Sequence, residues 1–267
     1  MAFSFKNILI PIDLDLNSYI AVTKAVELAD QSAKISLLRM QKPQRFFEVG
    51  NDSGTREDIQ ALLEQKIEDA QKDIVVTNKW LSGSNIQQQV EHFARRNEAD
   101  LIVIGRNRSH TWFPFLNRII PTKLAEKTGI AVLTVRPAVS CDQHVKTMVV
   151  PITGETYAHK MEIISAIRAK LRVRVFLVTF IEGDVENIEF SGSPLLKAYQ
   201  WLKSVHCPVE YSLLQGYNKA RAILKYVEKV NADILLVKPE SETRIGWPGK
   251  HISDVLPQTS KVQVWTV

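Results

Sequence analysis

Residues 99–105 read Ala-Asp-Leu-Ile-Val-Ile-Gly, and this stretch decides the fold class. Its apolar run does not alternate with polar residues, so it reads as a strand buried on both faces, as in a parallel sheet. Gly105 closes the run. At such points α/β chains turn tightly and direct backbone N–H groups at an anion. Residues 232–237, Ala-Asp-Ile-Leu-Leu-Val, carry the same pattern.

Working outward from the two stretches, the chain repeats itself. Lys6-Asn7-Ile8-Leu9-Ile10-Pro11-Ile12-Asp13 aligns with Lys146-Thr147-Met148-Val149-Val150-Pro151-Ile152-Thr153. Gly83-Ser84-Asn85 aligns with Gly216-Tyr217-Asn218, and Ala131-Val132-Leu133-Thr134-Val135 with Gln263-Val264-Trp265-Thr266-Val267. Conserved order over most of both halves predicts a duplicated domain, 1–137 and 144–267, joined by a polar, proline-containing segment at 136–143.

In each copy strands alternate with amphipathic helices. The first copy is expected to place strands near 7–13, 34–41, 74–80, 100–105 and 130–135, with helices near 17–31, 56–72, 84–98 and 117–127. Ile86, Val90, Phe93 and Ala94 follow the helical period, as do Ile223, Tyr226 and Val227. Such alternation predicts right-handed crossovers and a doubly wound parallel sheet covered on both faces. Pro11 and Pro151 stand inside strand-like runs. Proline lacks a ladder donor, so both are expected at the carboxyl end of a strand, where open α/β sheets bind ligands.

Composition sets the outer limits. The 267 residues are 45% hydrophobic and 24% charged, with a formal net charge of +5. These are ordinary values for a globular protein, and the positive charge permits an anionic ligand without requiring one. The apolar runs are too short to cross a bilayer, and the opening Met-Ala-Phe-Ser-Phe-Lys leads directly into a strand-like run. Cys141 and Cys207 are too few for a disulfide framework or a four-ligand zinc site. A cytoplasmic protein is expected. The scattered histidines offer no metal-ligand spacing, and no catalytic motif appears. Asp13 and Asp15 resemble a response-regulator acid pair, but the third strand, Ile74-Val75-Val76-Thr77-Asn78-Lys79-Trp80, lacks the aspartate that chemistry needs. No RNP-like aromatics or zinc-finger spacings point to nucleic acid.

With these residues in view, the chain resembles a tandem universal stress protein. The resemblance rests on Ile8-Leu9-Ile10-Pro11-Ile12-Asp13, Asn97-Glu98-Ala99-Asp100-Leu101-Ile102-Val103-Ile104-Gly105 and Ile130-Ala131-Val132-Leu133-Thr134-Val135, and covers nearly the whole chain in two copies. It implies two flavodoxin-like, adenine nucleotide alpha hydrolase-like domains related by a pseudo-twofold, in a family with nucleotide-binding and non-binding branches divided largely by a glycine loop, the ligand of the binding branch being ATP or another adenine nucleotide. It also implies intramolecular pairing through the last strands, 130–135 and 261–267, and a possible homodimer.

Carried over residue by residue, the resemblance makes Pro11 and Asp13 the ribose or base side and Met40 the adenine side. Gly105 matches the first glycine of the family's phosphate loop. Arg108 replaces the second glycine, and Asn117-Arg118 replaces the closing Gly-Ser pair. Glycine serves there because it reaches positive φ and has no Cβ to block phosphate. Arg108 forced to positive φ would cost roughly 1 kcal/mol. Arg106, Arg108 and Arg118 can instead bind phosphate through their side chains. Two readings therefore stay open: an anion site remodelled around arginines, or solvated arginines on a degenerate loop.

The second copy departs further. Thr153 replaces the aspartate, and Lys238-Pro239-Glu240-Ser241 replaces the glycine loop, with Pro239 expected to remove an N–H from the phosphate arc. The overall expectation is a stress-response binding or regulatory module rather than an enzyme. The alternatives are a slow ATP hydrolase or nucleotide-dependent transferase on the same fold, and a protein-binding scaffold using the aromatic loop at 111–116.

Overall fold

The computed structural model describes residues 3–12, 16–40, 61, 64–81, 85–106, 119–136, 138–140, 143–154, 157–181, 192–216, 218–239, 252, 256 and 259–267, excepting the side chains of 16, 17 and 40. It divides into two units, Ser4–Asp142 and Gln143–Val267, the latter grouped with Met1–Phe3.

The N-terminal unit contains β1 (Phe5–Ile12), α1 (Leu16–Leu28), β2 (Ala29–Met40), β3 (Val75–Leu81), α2 (Ile86–Arg96), β4 (Leu101–Gly105), α3 (Pro121–Thr128) and β5 (Ala131–Val135). A further helical stretch covers 64–69. Its strands are parallel in the order β3-β2-β1-β4-β5. The central strands are apolar throughout because both faces are covered: Leu101 to Ile104 are all 0% exposed. One face packs on α2 and α3, with Leu9, Leu38, Ile102, Ile104 and Val132 meeting Ile86, Val90, Ala94 and Leu124. Helix α1 packs against β1, β4 and β5.

The C-terminal unit contains β6 (Thr147–Pro151), α4 (Ala158–Lys170), β7 (Arg174–Phe180), α5 (Pro194–Ser204), β8 (Val209–Leu214), α6 (Lys219–Lys229), β9 (Ile234–Val237) and β10 (Gln263–Thr266). Its parallel order, β8-β7-β6-β9-β10, is the same arrangement. Its core joins Val149, Val178, Leu235 and Val264 to Ile223, Tyr226 and Val227 of α6.

Equivalent devices fix the helix after the third strand in each unit. Asn85 accepts the Gln88 N–H at 3.2 Å, and Asn218 accepts the Arg221 N–H at 3.0 Å. These side chains satisfy donors that a helix start leaves open. At the other end Glu98 and Asn231 take φ of 49° and 48°, so that the Ala99 N–H reaches Ala94 O and the Ala232 N–H reaches Val227 O.

Three boundaries differ from the sequence-based expectation. Helix α1 stops at Leu28 instead of 31, and β2 begins at once with Ala29. Asp30 explains the early strand start, since its carboxylate accepts the Ser4 hydroxyl and the Gln31 N–H, both at 2.9 Å. The Lys72 ammonium also takes the Val26 and Ala29 carbonyls, at 2.6 and 2.9 Å. Helix α3 begins at Pro121, with Ile119 and Ile120 outside it. Proline suits the first helical turn and keeps the preceding residue extended, here Ile120 at φ −98°, ψ 104°. In the 136–143 segment Arg136 is 6% and Val139 2% exposed, so it is not a wholly solvated linker.

Candidate functional site

Strands β1 and β4 are joined firmly at one end and part at the other. At their amino ends the Asp100 carboxylate accepts the Lys6 and Asn7 N–H groups at 2.8 and 3.0 Å through one oxygen. The Asp100 N–H donates to Asn7 O at 2.9 Å. Burial pushes the Asp100 carboxyl above the usual value, opposed by these N–H bonds and by the Lys6 charge. Among the described residues the two strands then pair at Ile8↔Leu101 and Leu9↔Ile102 and no further. Ile10, Pro11 and Ile12 continue against β2, whereas Val103, Ile104 and Gly105 continue against β5. The sheet opens between Pro11 and Gly105, at the point where strand order reverses. Open α/β sheets bind ligands there.

The registers show which main-chain groups face the opening. The Asn7 carbonyl faces β4, where it accepts the Asp100 N–H, and the alternation along β1 then turns Ile10 and Ile12 toward β2 and the Pro11 carbonyl toward β4. The missing proline donor therefore costs no bond to β2. Gly105 pairs with Val135, and the Arg106 N–H donates to Val135 O at 2.8 Å. Gly105 thus directs its own N–H into the opening, while the Arg106 N–H belongs to the sheet and is not a phosphate donor. Met40 ends β2, the strand on the other side of β1, beside Leu81 of β3. Of the sequence-derived candidates, Pro11 and Gly105 meet across the opening, with Arg106 next to it. Asp13, Arg108, Asn117 and Arg118 lie outside the described residues, as does the aromatic stretch at 111–116.

The C-terminal unit repeats this construction with a different filling. Asp233 accepts the Lys146 and Thr147 N–H groups at 2.8 and 3.0 Å, and β6 pairs with β9 at Met148↔Ile234 and Val149↔Leu235. The Ile152 N–H crosses to Val178 O at 2.7 Å, so the Pro151 carbonyl faces the opening. There the Lys160 ammonium, 3% exposed, donates to it at 2.6 Å. The same nine-residue step from Pro11 leads to Ile20. The expectation for Pro239 needs correction: its counterpart, Arg106, uses its N–H within the sheet, so Pro239 deletes a ladder bond rather than a phosphate contact.

Sequence reasoning missed the aspartate clamps and Lys160. Both had a signal: the clamp aspartate stands before β4 and before β9, and Lys160 breaks an otherwise apolar equivalence.

A family model described as Universal stress protein family matches residues 4–136, the span from β1 to the end of β5. Residues 4–136 belong to the universal stress protein family. No curated protein matches the chain at a significant level. Solved structures resemble the chain over nearly its full length. A universal stress protein from Archaeoglobus fulgidus DSM 4304 is 14% identical with a TM-score of 0.67, covering 99% of this chain and 97% of that one. A putative universal stress protein from Pseudomonas aeruginosa UCBPP-PA14 is 15% identical with a TM-score of 0.59, covering 98% and 93%. The cytoplasmic domain of a prokaryotic cation chloride cotransporter is 11% identical with a TM-score of 0.54, covering 98% and 95%. At these identities the likeness is one of fold. Among the described residues no helix is long and apolar enough to cross a membrane, and no group of three His, Cys, Asp or Glu side chains could hold a metal.

Proposed function

We propose that the protein is a tandem universal stress protein, a cytoplasmic stress-response binding and regulatory module whose N-terminal unit takes ATP or another adenine nucleotide at a degenerate site. The reading rests on the opening between β1 and β4, into which the Pro11 carbonyl and the Gly105 N–H both turn. Asp13 would hold the ribose or base and Met40 the adenine side. Gly105 would meet phosphate through its N–H, and Arg106, Arg108 and Arg118 through guanidinium groups, with Asn117 shaping the loop. A guanidinium fork matches phosphate oxygens and can replace backbone donors that glycines once exposed. The C-terminal unit, with the same strand order, would be a second and more degenerate copy, paired to the first through the final strand of each, and two chains would form a homodimer.

The test is calorimetric titration of the purified chain with ATP, ADP and AMP, with and without magnesium. Binding that weakens at least tenfold in Asp13→Ala and in Arg108→Ala is the expected result. Phosphate release above background would move the assignment to a hydrolase. Silence with all three nucleotides would leave a protein-binding scaffold acting through the aromatic loop at 111–116.

A further inference from the structure

The C-terminal unit carries a cationic cleft at the amino end of its sheet, the opposite end from the opening beside Pro151. It has a volume of about 700 Å³ and is lined by Lys146, Arg168, Arg172, Arg174 and His206, with Phe176 among its apolar residues. The volume lies within the range of small-molecule sites. Lys146 precedes β6, Arg168 is in the last turn of α4, Arg172 and Arg174 enter β7, and His206 follows α5.

Part of this charge has a structural use. Helices α4, α5 and α6 end at this edge, with C-caps at Leu171, Val205 and Val230, each helix bringing about half a negative charge. Arg168 answers α5 directly, donating to Val205 O at 3.4 Å and His206 O at 3.2 Å. Arg174 lies 3.7 Å from Glu210, both well exposed, a weak pairing in water. Asp233 is engaged by the Lys146 and Thr147 N–H groups. Lys146 and Arg172 extend exposed side chains over the same cleft.

The N-terminal unit serves as an internal comparison. Its sheet registers set Lys6, Ser32, Lys34 and Asp73 where the C-terminal unit has Lys146, Arg172, Arg174 and His206. At these four positions the N-terminal unit has two cations and an acid, and beside them Lys72 bonds the Val26 and Ala29 carbonyls much as Arg168 bonds those of α5. The extra arginine and the imidazole in the C-terminal unit therefore exceed what the architecture requires.

We infer that this cleft is an anion site for a compact oligophosphate-bearing small molecule. Arg168, fixed by two carbonyls, and the Arg172 and Arg174 forks suit several phosphate oxygens at once. The cations converge on one concavity and do not form a stripe, which favours a small ligand over an extended nucleic-acid strand.

The experiment is calorimetry of the full chain with inorganic tripolyphosphate at about 50 mM salt, where charge pairing is little screened. One bound tripolyphosphate per chain is expected, at least tenfold weaker in the Arg172→Ser, Arg174→Ser double variant and weaker by a smaller factor in Lys146→Ser. These side chains are exposed, so unchanged circular dichroism is expected alongside. Absence of binding, or equal affinity in the double variant, would overturn the assignment. So would a loss confined to Arg108→Ala, which would place the phosphate in the N-terminal unit. Tighter binding of a twelve-nucleotide single strand through the same arginines would replace the small ligand with nucleic acid.

Discussion

Asp100 and Asp233 each hold the first strand of a unit to its fourth by accepting two consecutive backbone N–H groups, at the end of the sheet away from the opening. Asp100→Ala removes the oxygen that accepts both bonds and leaves two donors without it, a cost of about 1–3 kcal/mol in urea unfolding. Asp100→Asn keeps an oxygen for them and is expected to cost less. The two forms also respond differently to pH. The Asp100 carboxyl is raised from 3.8 chiefly by burial, so the folded state binds its proton more readily than the unfolded chain does. Ionising it opposes folding, and that opposition fades as pH falls through the raised value. Wild type should therefore gain stability relative to Asp100→Asn as pH is lowered from about 7 toward 4, where the linkage acts. A gap that widens in the other direction would mean the N–H bonds outweigh burial.

Element boundaries depend on a few side chains, and here the sequence was only partly legible. The alternation of strands with helices and the buried run of β4 follow from period and punctuation alone. The end of α1 did not, because Lys72, far along the chain, supplies the bond that closes its last carbonyls. At the site Pro11 and Gly105 could be read as strand ends. The use of the Arg106 N–H could not, since it depends on the register of β4 against β5. Lys160 drew no expectation from the sequence, and packing places its ammonium inside. The helix ends offer a direct test. Glu98 and Asn231 both adopt left-handed φ, yet glutamate tolerates it poorly and asparagine well. Glu98→Gly should raise the urea midpoint by the equivalent of about 0.5–1 kcal/mol, and Asn231→Gly by less. Equal gains at both positions would show that side-chain identity there carries no strain.

Across the whole molecule, two units of one topology need not have two equivalent sites. In the N-terminal unit the opening presents a carbonyl from Pro11 and an N–H from Gly105, with Asp13 following β1 in sequence. In the C-terminal unit Lys238 replaces Gly105, Thr153 replaces Asp13, and the buried Lys160 ammonium already bonds the Pro151 carbonyl. A buried ammonium bonded to main chain is costly to displace, since removing its acceptor leaves an unpaired charge in a dry site. Adenine nucleotide should therefore occupy only one of the two strand openings, counted by calorimetry in the Arg172→Ser, Arg174→Ser background, where the cationic cleft does not contribute. Asp13→Thr, which gives the first unit the residue of the second, should abolish that site. Thr153→Asp should leave the count at one, because a restored carboxylate does not clear Lys160 from the opening. Two equivalents bound in that background would show that the lysine yields to the ligand. A second site gained in Thr153→Asp alone would show that the aspartate, and not the ammonium beside Pro151, decides which unit binds.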